Sequence, residues 1–183
     1  MSPDATSGGL LSVAGDLRRT AAERDPWVAG LRLAGIGWGT VELERAAEDL
    51  GNAFAMARLP APDWAPAVRD AHLGAAAWVG TTSWFGTDGP PRGLANPELP
   101  AVVLLEPDTE GRLAATLARF DEGVAAIYLE APAEAALGTP PALYQLDPAR
   151  LGAPLPGPLG IGRMLLARPA WGPHVIVVAP ASR

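Results

Sequence analysis

Two residues near the middle of the chain, Tyr128 and Glu130, are suited by type and spacing to acid–base chemistry. Both fall in Val124–Glu130, an apolar segment that predicts a strand. Side chains two residues apart on a strand point to the same face, so the phenol and the carboxylate would share one. A carboxylate can take a proton when burial raises its pKa, and a buried phenol can hydrogen-bond a ligand oxygen. At a solvated strand end the carboxylate would have no chemical role.

The aromatic residues are weighted toward tryptophan, with six Trp against three Phe and two Tyr, which suggests a ligand-binding surface. A Trp ring offers a flat π face to an aromatic or cationic ligand, although it also packs well in an ordinary core. An arginine in the middle of a strand can pair with a ligand carboxylate or lie on an exposed face. The candidate ligand-binding residues are Trp38, Trp78, Trp84, Tyr144, Arg163 and Trp171.

The composition excludes several chemistries. All 14 basic residues are Arg, which rules out a lysine Schiff base and a lysine-containing phosphate loop. The lack of Cys rules out thiol nucleophiles, disulfides and thiolate metal sites. Only His72 and His174 could supply an imidazole, and their positions at a strand start and after a proline predict surface or capping roles. The chain therefore has few of the groups that enzymes commonly use.

Charge and hydropathy bear on partners and location. The net charge is −6 and no basic cluster is present, so we expect no nucleic acid partner. No apolar run reaches the length of a membrane span, and the polar start MSPDATSGG is unlike a signal peptide. We therefore expect a cytoplasmic protein that does not bind membranes.

Hydrophobic periodicity predicts the elements that position these residues. Apolar residues from Leu43 to Leu50 recur at helical spacing, which predicts a helix from Thr40 or Val41 that stops at Gly51-Asn52. A second helix would be capped by Asp108 or Thr109 and bury Leu113, Leu117 and Phe120. The predicted strands are Leu31–Trp38, Ala53–Leu59, His72–Trp84, Ala101–Glu106, Val124–Glu130, Ala142–Leu146, Leu159–Arg168 and His174–Ala179, with a short helix at Ala131–Leu137 and loops at Pro60–Asp70 and Asp147–Pro158.

This order reads as strand, helix and three strands, repeated on either side of a connecting helix. The halves end alike, with VVLLEP at Val102–Pro107 and VIVVAP at Val175–Pro180, which favours an internal duplication. The predicted fold class is α+β. Its parts are an N-terminal extension (1–30), a first βαβββ module (31–107), and a connecting helix with a second βαβββ module (108–183). The extension would pack against the domain or against a partner subunit.

Two motifs resemble those of the vicinal oxygen chelate superfamily, which includes glyoxalases, methylmalonyl-CoA epimerases and bleomycin-binding proteins. One is LLEP followed by an apolar helix and IYLE, within Leu104–Glu130, and the other is AGIGWGTVELERAAEDLG at Ala34–Gly51. The resemblance covers roughly Leu31–Pro180. It implies two βαβββ modules of a glyoxalase-like fold that form a cleft, and it implies a homodimer.

The resemblance also implies where a metal site would lie. Aligned with the superfamily's motifs, the ligand positions fall at Gly35, Val103, Ala126 and near Ile176, none of which carries a metal-binding side chain. We therefore expect no metal and no cofactor. The same alignment turns Tyr128 and Glu130 toward the cleft, and it implies unfilled space beside Gly35 and Gly37.

Three functions follow from these observations. The first is a metal-independent protein that binds a small organic metabolite, aromatic or cationic, in a Trp-lined cleft. The second is a metal-independent isomerase, cyclase or lyase of secondary metabolism that uses Glu130 and Tyr128 for acid–base catalysis. The third is a degenerate domain with a structural or regulatory partner role, which a filled cleft would favour.

Overall fold

The computed structural model describes Asp16, Arg19 and residues 30–56, 61–81, 100–108, 110–130, 151–166 and 173–179. From residue 30 onward, these stretches contain eight strands and two helices. None of the described helices has the length and apolar character that crossing a membrane requires. The elements are β1 (Arg32–Gly39), α1 (Leu43–Met56), β2 (Asp63–Pro66), β3 (Ala75–Thr81), β4 (Ala101–Pro107), α2 (Arg112–Phe120), β5 (Gly123–Glu130), β6 (Leu155–Gly157), β7 (Gly160–Met164) and β8 (His174–Val178).

All eight strands form one sheet, in the order β2-β3-β4-β1-β5-β8-β7-β6. The first four strands make one half of the sheet and the last four make the other, with the same internal order. The halves meet where β1 and β5 pair antiparallel, from Arg32 opposite Glu130 to Gly39 opposite Gly123. Within each half the first and last strands pair parallel, β1 with β4 and β5 with β8. The predicted α+β class and glyoxalase-like arrangement are confirmed.

The two faces of the sheet have different roles. Helix α1 covers one of them, which we call the helix face. There its apolar stripe packs on Val102 and Leu104, with Trp38 and Trp78 partly buried beside them. The opposite face, which we call the cleft face, carries Val103, Ala126, Tyr128 and Ile176 in a second apolar cluster. Because side chains alternate along a strand, neighbouring residues of β4 point to opposite faces of the sheet.

Carboxylates from distant elements fix the start of α1. Glu106 at the end of β4 accepts the Leu43 N–H at 3.1 Å, and Glu122 before β5 accepts the Val41 N–H at 2.9 Å. These groups satisfy N–H donors that the first turn of a helix leaves without partners, and their charge suits the helix dipole. Glu122 also accepts from Arg45 at 2.6 Å, a bond that chiefly lowers the pKa of Glu122 to about 2.

The predicted end of α1 is wrong. The helix continues through Gly51 to Met56, across the first part of the predicted strand Ala53–Leu59. Ala53 and Phe54 extend the apolar stripe beyond Leu50 and are buried. Their packing outweighs the stop signal of Gly51-Asn52, which is only a local preference.

The predicted boundaries around β2 and β3 are also wrong. Strand β2 lies inside the predicted loop Pro60–Asp70 and pairs with β3 at the edge of the sheet, where its one proline, Pro66, is tolerated. Its Trp64 ring lies over Gly80, so close that a Cβ there would approach the ring within 2.6 Å. Strand β3 begins at Ala75 and not at His72, because the chain turns through Gly74 with φ +66°.

The second helix and the last hairpin differ from prediction in their limits. Helix α2 starts at Arg112 after Gly111, with no side-chain cap from Asp108, and Phe120 is exposed while Thr116 is buried. Strand β6 falls in the predicted loop Asp147–Pro158. The predicted pairing of the last two strands is confirmed by β7 and β8. The predicted helix Ala131–Leu137 and strand Ala142–Leu146 lie outside the described residues.

Candidate functional site

The four positions that the motif alignment predicts for the superfamily's metal ligands, Gly35, Val103, Ala126 and Ile176, lie together on the cleft face. Tyr128 pairs with Gly35 on one side and with Ile176 on the other, while Gly37 pairs with both Val103 and Ala126. Val103 and Ala126 are fully buried and Ile176 nearly so. None of the four offers a donor atom to a metal, and within the described ranges no group of three or more His, Cys, Asp or Glu could hold one. The residues present do not fit a divalent metal.

The interior next to these positions is filled by a turn of the same chain, Asp70–Gly74, which we call the inner turn. It connects β2 to β3 and closes with a hydrogen bond from the Gly74 N–H to the Asp70 carbonyl at 3.0 Å. Leu73 of this turn is fully buried in the apolar cluster that contains Val103 and Ala126. The chain therefore places its own leucine where a cleft was expected.

Asp70 is the polar centre of this interior and is itself fully buried. One carboxylate oxygen, Oδ1, accepts the N–H groups of His72 and Leu73 at 2.9 and 3.1 Å. The other, Oδ2, accepts the hydroxyl of Tyr128 at 2.7 Å. A buried carboxylate is costly unless its oxygens are hydrogen-bonded, and these donors meet that need.

Tyr128 is a hydrogen-bond donor in this site. Its burial, followed by the nearby charge of Asp70, raises the pKa of the phenol well above its ordinary value. A phenol that holds its proton this firmly stays neutral at physiological pH. It can orient a carboxylate but is a poor candidate for a catalytic base.

The inner turn bridges the two halves of the sheet. The Ala71 N–H donates to the Pro156 carbonyl on β6 at 3.1 Å, and the His72 ring bonds the Gly162 carbonyl on β7 at 3.0 Å. Because a carbonyl only accepts, Nε2 of His72 carries the proton. The Leu113 N–H at the start of α2 donates to the Leu73 carbonyl at 3.1 Å. Together with the Asp70–Tyr128 bond to β5, these bonds join a segment of the first half to four elements that follow β4.

The space expected beside Gly35 and Gly37 is occupied. A Cβ at Gly35 would lie 2.6 Å from Cδ1 of Leu159, and one at Gly37 would lie 2.8 Å from Cδ1 of Leu105. The glycines allow these leucines to approach the strand closely. The prediction of room for a ligand at these glycines is wrong.

The two predicted catalytic residues are engaged with different partners. Glu130 forms an ion pair with Arg32 on the adjacent strand β1. Tyr128 bonds Asp70 in the interior. The structure thus binds the carboxylate to a guanidinium and the phenol to a second carboxylate, and it forms no acid–base pair between Tyr128 and Glu130.

The predicted ligand-binding residues are not gathered on the cleft face. Trp38 and Trp78 pack toward α1 on the helix face, because the alternation of β1 and β3 gives the cleft face to Gly37 and Ala77. Arg163 is exposed between Gly162 and Met164, which face the cleft side, and its Nη1 lies 3.5 Å from the Gly152 carbonyl. Trp38 and Trp78 therefore do not line the cleft face. Trp84, Tyr144 and Trp171 lie outside the described residues.

The sequence interpretation missed Asp70 and misplaced both histidines. An Asp followed four residues later by Gly, as in DAHLG, is a turn signal, because Asp bonds nearby backbone N–H groups and Gly accepts a positive φ. Both His72 and His174 are buried and not on the surface. His174 Nε2 lies 3.2 Å from the Thr116 hydroxyl on α2, so its role is in the core.

A recess next to these elements is a further concave feature. It lies beside α1, and its two carboxylates, Asp49 and Glu122, are already paired with Arg45 at 3.5 and 2.6 Å. One guanidinium faces these two carboxylates, so the recess remains acidic overall. Its lining residues are Trp38, Arg45, Ala46, Asp49, Leu50, Ala53 and Glu122.

Comparison with known proteins identifies the fold. No protein-family model and no curated protein matches the sequence. Among solved structures, a variant of the Streptomyces coelicolor methylmalonyl-CoA epimerase in complex with 2-nitronate-propionyl-CoA matches at TM-score 0.57 and 19% identity, over 82% of this chain and 98% of that one. A methylmalonyl-CoA epimerase in complex with methylmalonyl-CoA and NH4+ matches at TM-score 0.57 and 18% identity, over 83% and 96% of the two chains. The epimerase from Mycobacterium tuberculosis matches at TM-score 0.56 and 14% identity, over 82% and 88%. The structural neighbours of this chain are methylmalonyl-CoA epimerases of the vicinal oxygen chelate superfamily, and the chain has their fold.

Proposed function

We propose that this chain is a metal-independent glyoxalase-like protein that binds a small organic molecule and does not catalyse metal-assisted proton transfer. The observation that carries the proposal is the apolar set Gly35, Val103, Ala126 and Ile176, at the positions where the superfamily places its metal ligands. A divalent ion needs converging His or carboxylate donors, and these four residues supply none.

Binding is favoured over catalysis because the polar groups near the cleft face already have partners. Asp70 accepts from Tyr128 and two backbone N–H groups, and Glu130 pairs with Arg32. A general base must come within hydrogen-bond reach of a substrate proton, and these contacts direct both carboxylates toward groups of the protein itself. The acid–base isomerase, cyclase or lyase that Glu130 and Tyr128 suggested has no support from these contacts.

The lining of the interior indicates the chemistry of the ligand. Two of the matched epimerase structures hold acyl-CoA compounds, so this fold can accommodate organic molecules. In this chain the interior is formed by Leu73, Leu105 and Leu113 together with one phenol–carboxylate pair. These groups pack against one another, so a ligand of this interior would have to take the place of Leu73 or Asp70, and it would need an apolar group with a single polar end. We therefore propose an apolar ligand in place of the aromatic or cationic one that the Trp content suggested.

Native mass spectrometry of protein purified without chelator tests this proposal. We expect the polypeptide to carry no stoichiometric metal and to bind small apolar acids, amides or esters that are released unchanged on denaturation. The same spectrum reports whether the protein is the expected homodimer. Stoichiometric metal, or conversion of a bound compound into a different one, would sink the proposal. So would the absence of binding tighter than about 1 mM, a very weak affinity, across such a set.

A further inference from the structure

We propose that the inner turn is an internal stand-in for the ligand, and that the cleft takes a short branched-chain carboxylate in place of Leu73 and Asp70. This inference rests on the proposed binding function and names the chemical class of the ligand. It assigns one role to the Tyr128 hydroxyl, which is to donate to the carboxylate of the ligand.

The inner turn carries the two groups that such a compound would have, a branched alkyl group on Leu73 and a carboxylate on Asp70. Leu73 inserts an isobutyl group among Val103, Leu105 and Ala126, and Asp70 places a carboxylate oxygen 2.7 Å from the Tyr128 hydroxyl. Both residues are fully buried. A molecule that joins a branched alkyl group to a carboxylate would make the same apolar contacts and accept the same hydrogen bond.

The inner turn can leave without breaking the pairing of the central strands. It lies between β2 and β3, and its only sheet-type bridge within the described ranges is the local one from Asp70 to Ala75. Its hydrogen bonds with the second half are those of Asp70 with Tyr128, Ala71 with Pro156 and His72 with Gly162. The carbonyls of Leu73 and Gly74 also accept the N–H groups of Leu113 and Asp108. Withdrawal therefore breaks individual hydrogen bonds and apolar contacts while the ladders of β1, β4, β5 and β8 stay intact.

A tethered group competes strongly with a free ligand. The inner turn is always present at its own site, so the ligand binds only the fraction of molecules in which the turn has withdrawn. The apparent affinity of the natural chain is lowered by that fraction. Removing the Leu73 and Asp70 side chains should raise the affinity for a compound that replaces them.

The test compares the natural chain with the double variant Asp70→Ser/Leu73→Ala, using isovalerate and its neutral analogue isovaleramide as probes. Serine keeps an oxygen that can bond the turn N–H groups while it vacates the space of Oδ2. We expect isothermal titration to show isovalerate binding at least ~10-fold tighter to the variant than to the natural chain. We also expect isovaleramide to bind at least ~10-fold more weakly than isovalerate, because it lacks the charge-assisted bond to Tyr128.

Two further variants separate the explanations. Adding Tyr128→Phe to the double variant should reduce isovalerate affinity ~10-fold. Leu104→Ala, which removes a fully buried leucine from the helix face, is the matched control and should bind neither probe. If the double variant fails to fold, the test uses Asp70→Ser alone, with acetate as the probe and the melting temperature as the measurement. A rise in its melting temperature with acetate that Tyr128→Phe abolishes supports the proposal, and no rise overturns it.

The remaining outcomes are equally decisive. If natively folded variants bind neither probe, or if Leu104→Ala binds isovalerate as well as the double variant does, the inference is wrong. If the acid and the amide bind equally, the carboxylate class is wrong and the proposed apolar binding function stands. Failure of that function itself appears separately, as stoichiometric metal in the native chain, turnover by it, or no binding by it of any compound in the set of apolar acids, amides and esters.

Discussion

The Tyr128 hydroxyl donates a hydrogen bond of 2.7 Å to Oδ2 of Asp70, and both residues are buried. The bond joins β5 of the second half to the turn between β2 and β3 of the first. It holds the inner turn against the cleft face, where Leu73 belongs to the same apolar cluster as Val103 and Ala126. The stability of this contact can be measured directly.

Replacing Tyr128 with Phe should destabilise the protein by about 1–3 kcal/mol, because it leaves a buried oxygen of Asp70 without its donor. Urea unfolding followed by circular dichroism measures the change in free energy. Asp70→Asn is the matched control and should cost less, because its one oxygen can still accept from the His72 and Leu73 N–H groups while its amide NH2 donates to the Tyr128 oxygen. Equal stability of Tyr128→Phe and the natural chain would mean that the bond is absent in solution.

Gly37→Ala should destabilise the protein by about 1–3 kcal/mol, because the added methyl group overpacks the core. Its Cβ would lie 2.8 Å from Cδ1 of Leu105 and 2.9 Å from Cβ of Ala126. Gly51→Ala is the control, because no heavy atom outside the helix backbone lies within 4 Å of a Cβ at that position of α1. It should stabilise the helix by about 0.5–1 kcal/mol. A neutral Gly37→Ala would show that the cleft face is open and not packed.

The stability of the natural chain relative to Glu122→Gln should depend on pH. The folded-state pKa of Glu122 is about 2, lowered first by the hydrogen bond from Arg45, and the unfolded value is 4.5. A lowered folded pKa stabilises the protein above the unfolded pKa, and this contribution disappears as the pH falls through the folded one. Because the side chain is partly solvated, we expect a difference of about 1 kcal/mol at neutral pH that vanishes toward about pH 2. Chemical denaturation at a series of pH values measures it, and a constant difference would contradict the assignment.

Replacing Glu130 with Gln should change stability by less than about 1 kcal/mol, because Arg32, its partner in the ion pair, is half exposed. Binding of an apolar ligand should be unaffected, since Glu130 pairs with Arg32 and not with the inner turn. Ligand titration of the folded variant checks this. Loss of a measurable turnover on this substitution would instead favour the enzyme that the sequence also allowed.

The sequence predicted the order of the central strands better than their surroundings. Val124–Glu130 and Ala101–Glu106 are apolar runs bounded by Gly or Pro, and the structure has strands there. The end of α1 and the start of β3 were predicted wrongly, because the sequence does not show what backbone conformation Gly51 and Gly74 adopt. The first lies inside a helix, and the second adopts a positive φ that ends a turn. Only tertiary packing separates these two cases.

The interior could not be predicted for a different reason. Alternation along a strand shows which residues share a face of the sheet, but it does not show which face a helix covers. Trp38 was therefore assigned to the cleft although α1 covers it. The contact of Asp70 with Tyr128 spans 58 residues, and no local pattern reports a pairing over that distance. The DAHLG segment predicts a turn, but nothing in the sequence indicates that this turn packs in the interior of the sheet.

The most direct test of the central claim is metal quantification after loading with excess Co2+ and desalting, with a methylmalonyl-CoA epimerase of the same fold as the reference protein. Elemental analysis of the two proteins gives the metal content per chain. We predict that this chain retains no stoichiometric metal, because Gly35, Val103, Ala126 and Ile176 supply no ligands and the inner turn fills the space between them. Retention of stoichiometric Co2+ that is lost in Asp70→Ser would show instead that Asp70 and His72 form a metal site, and it would contradict the account.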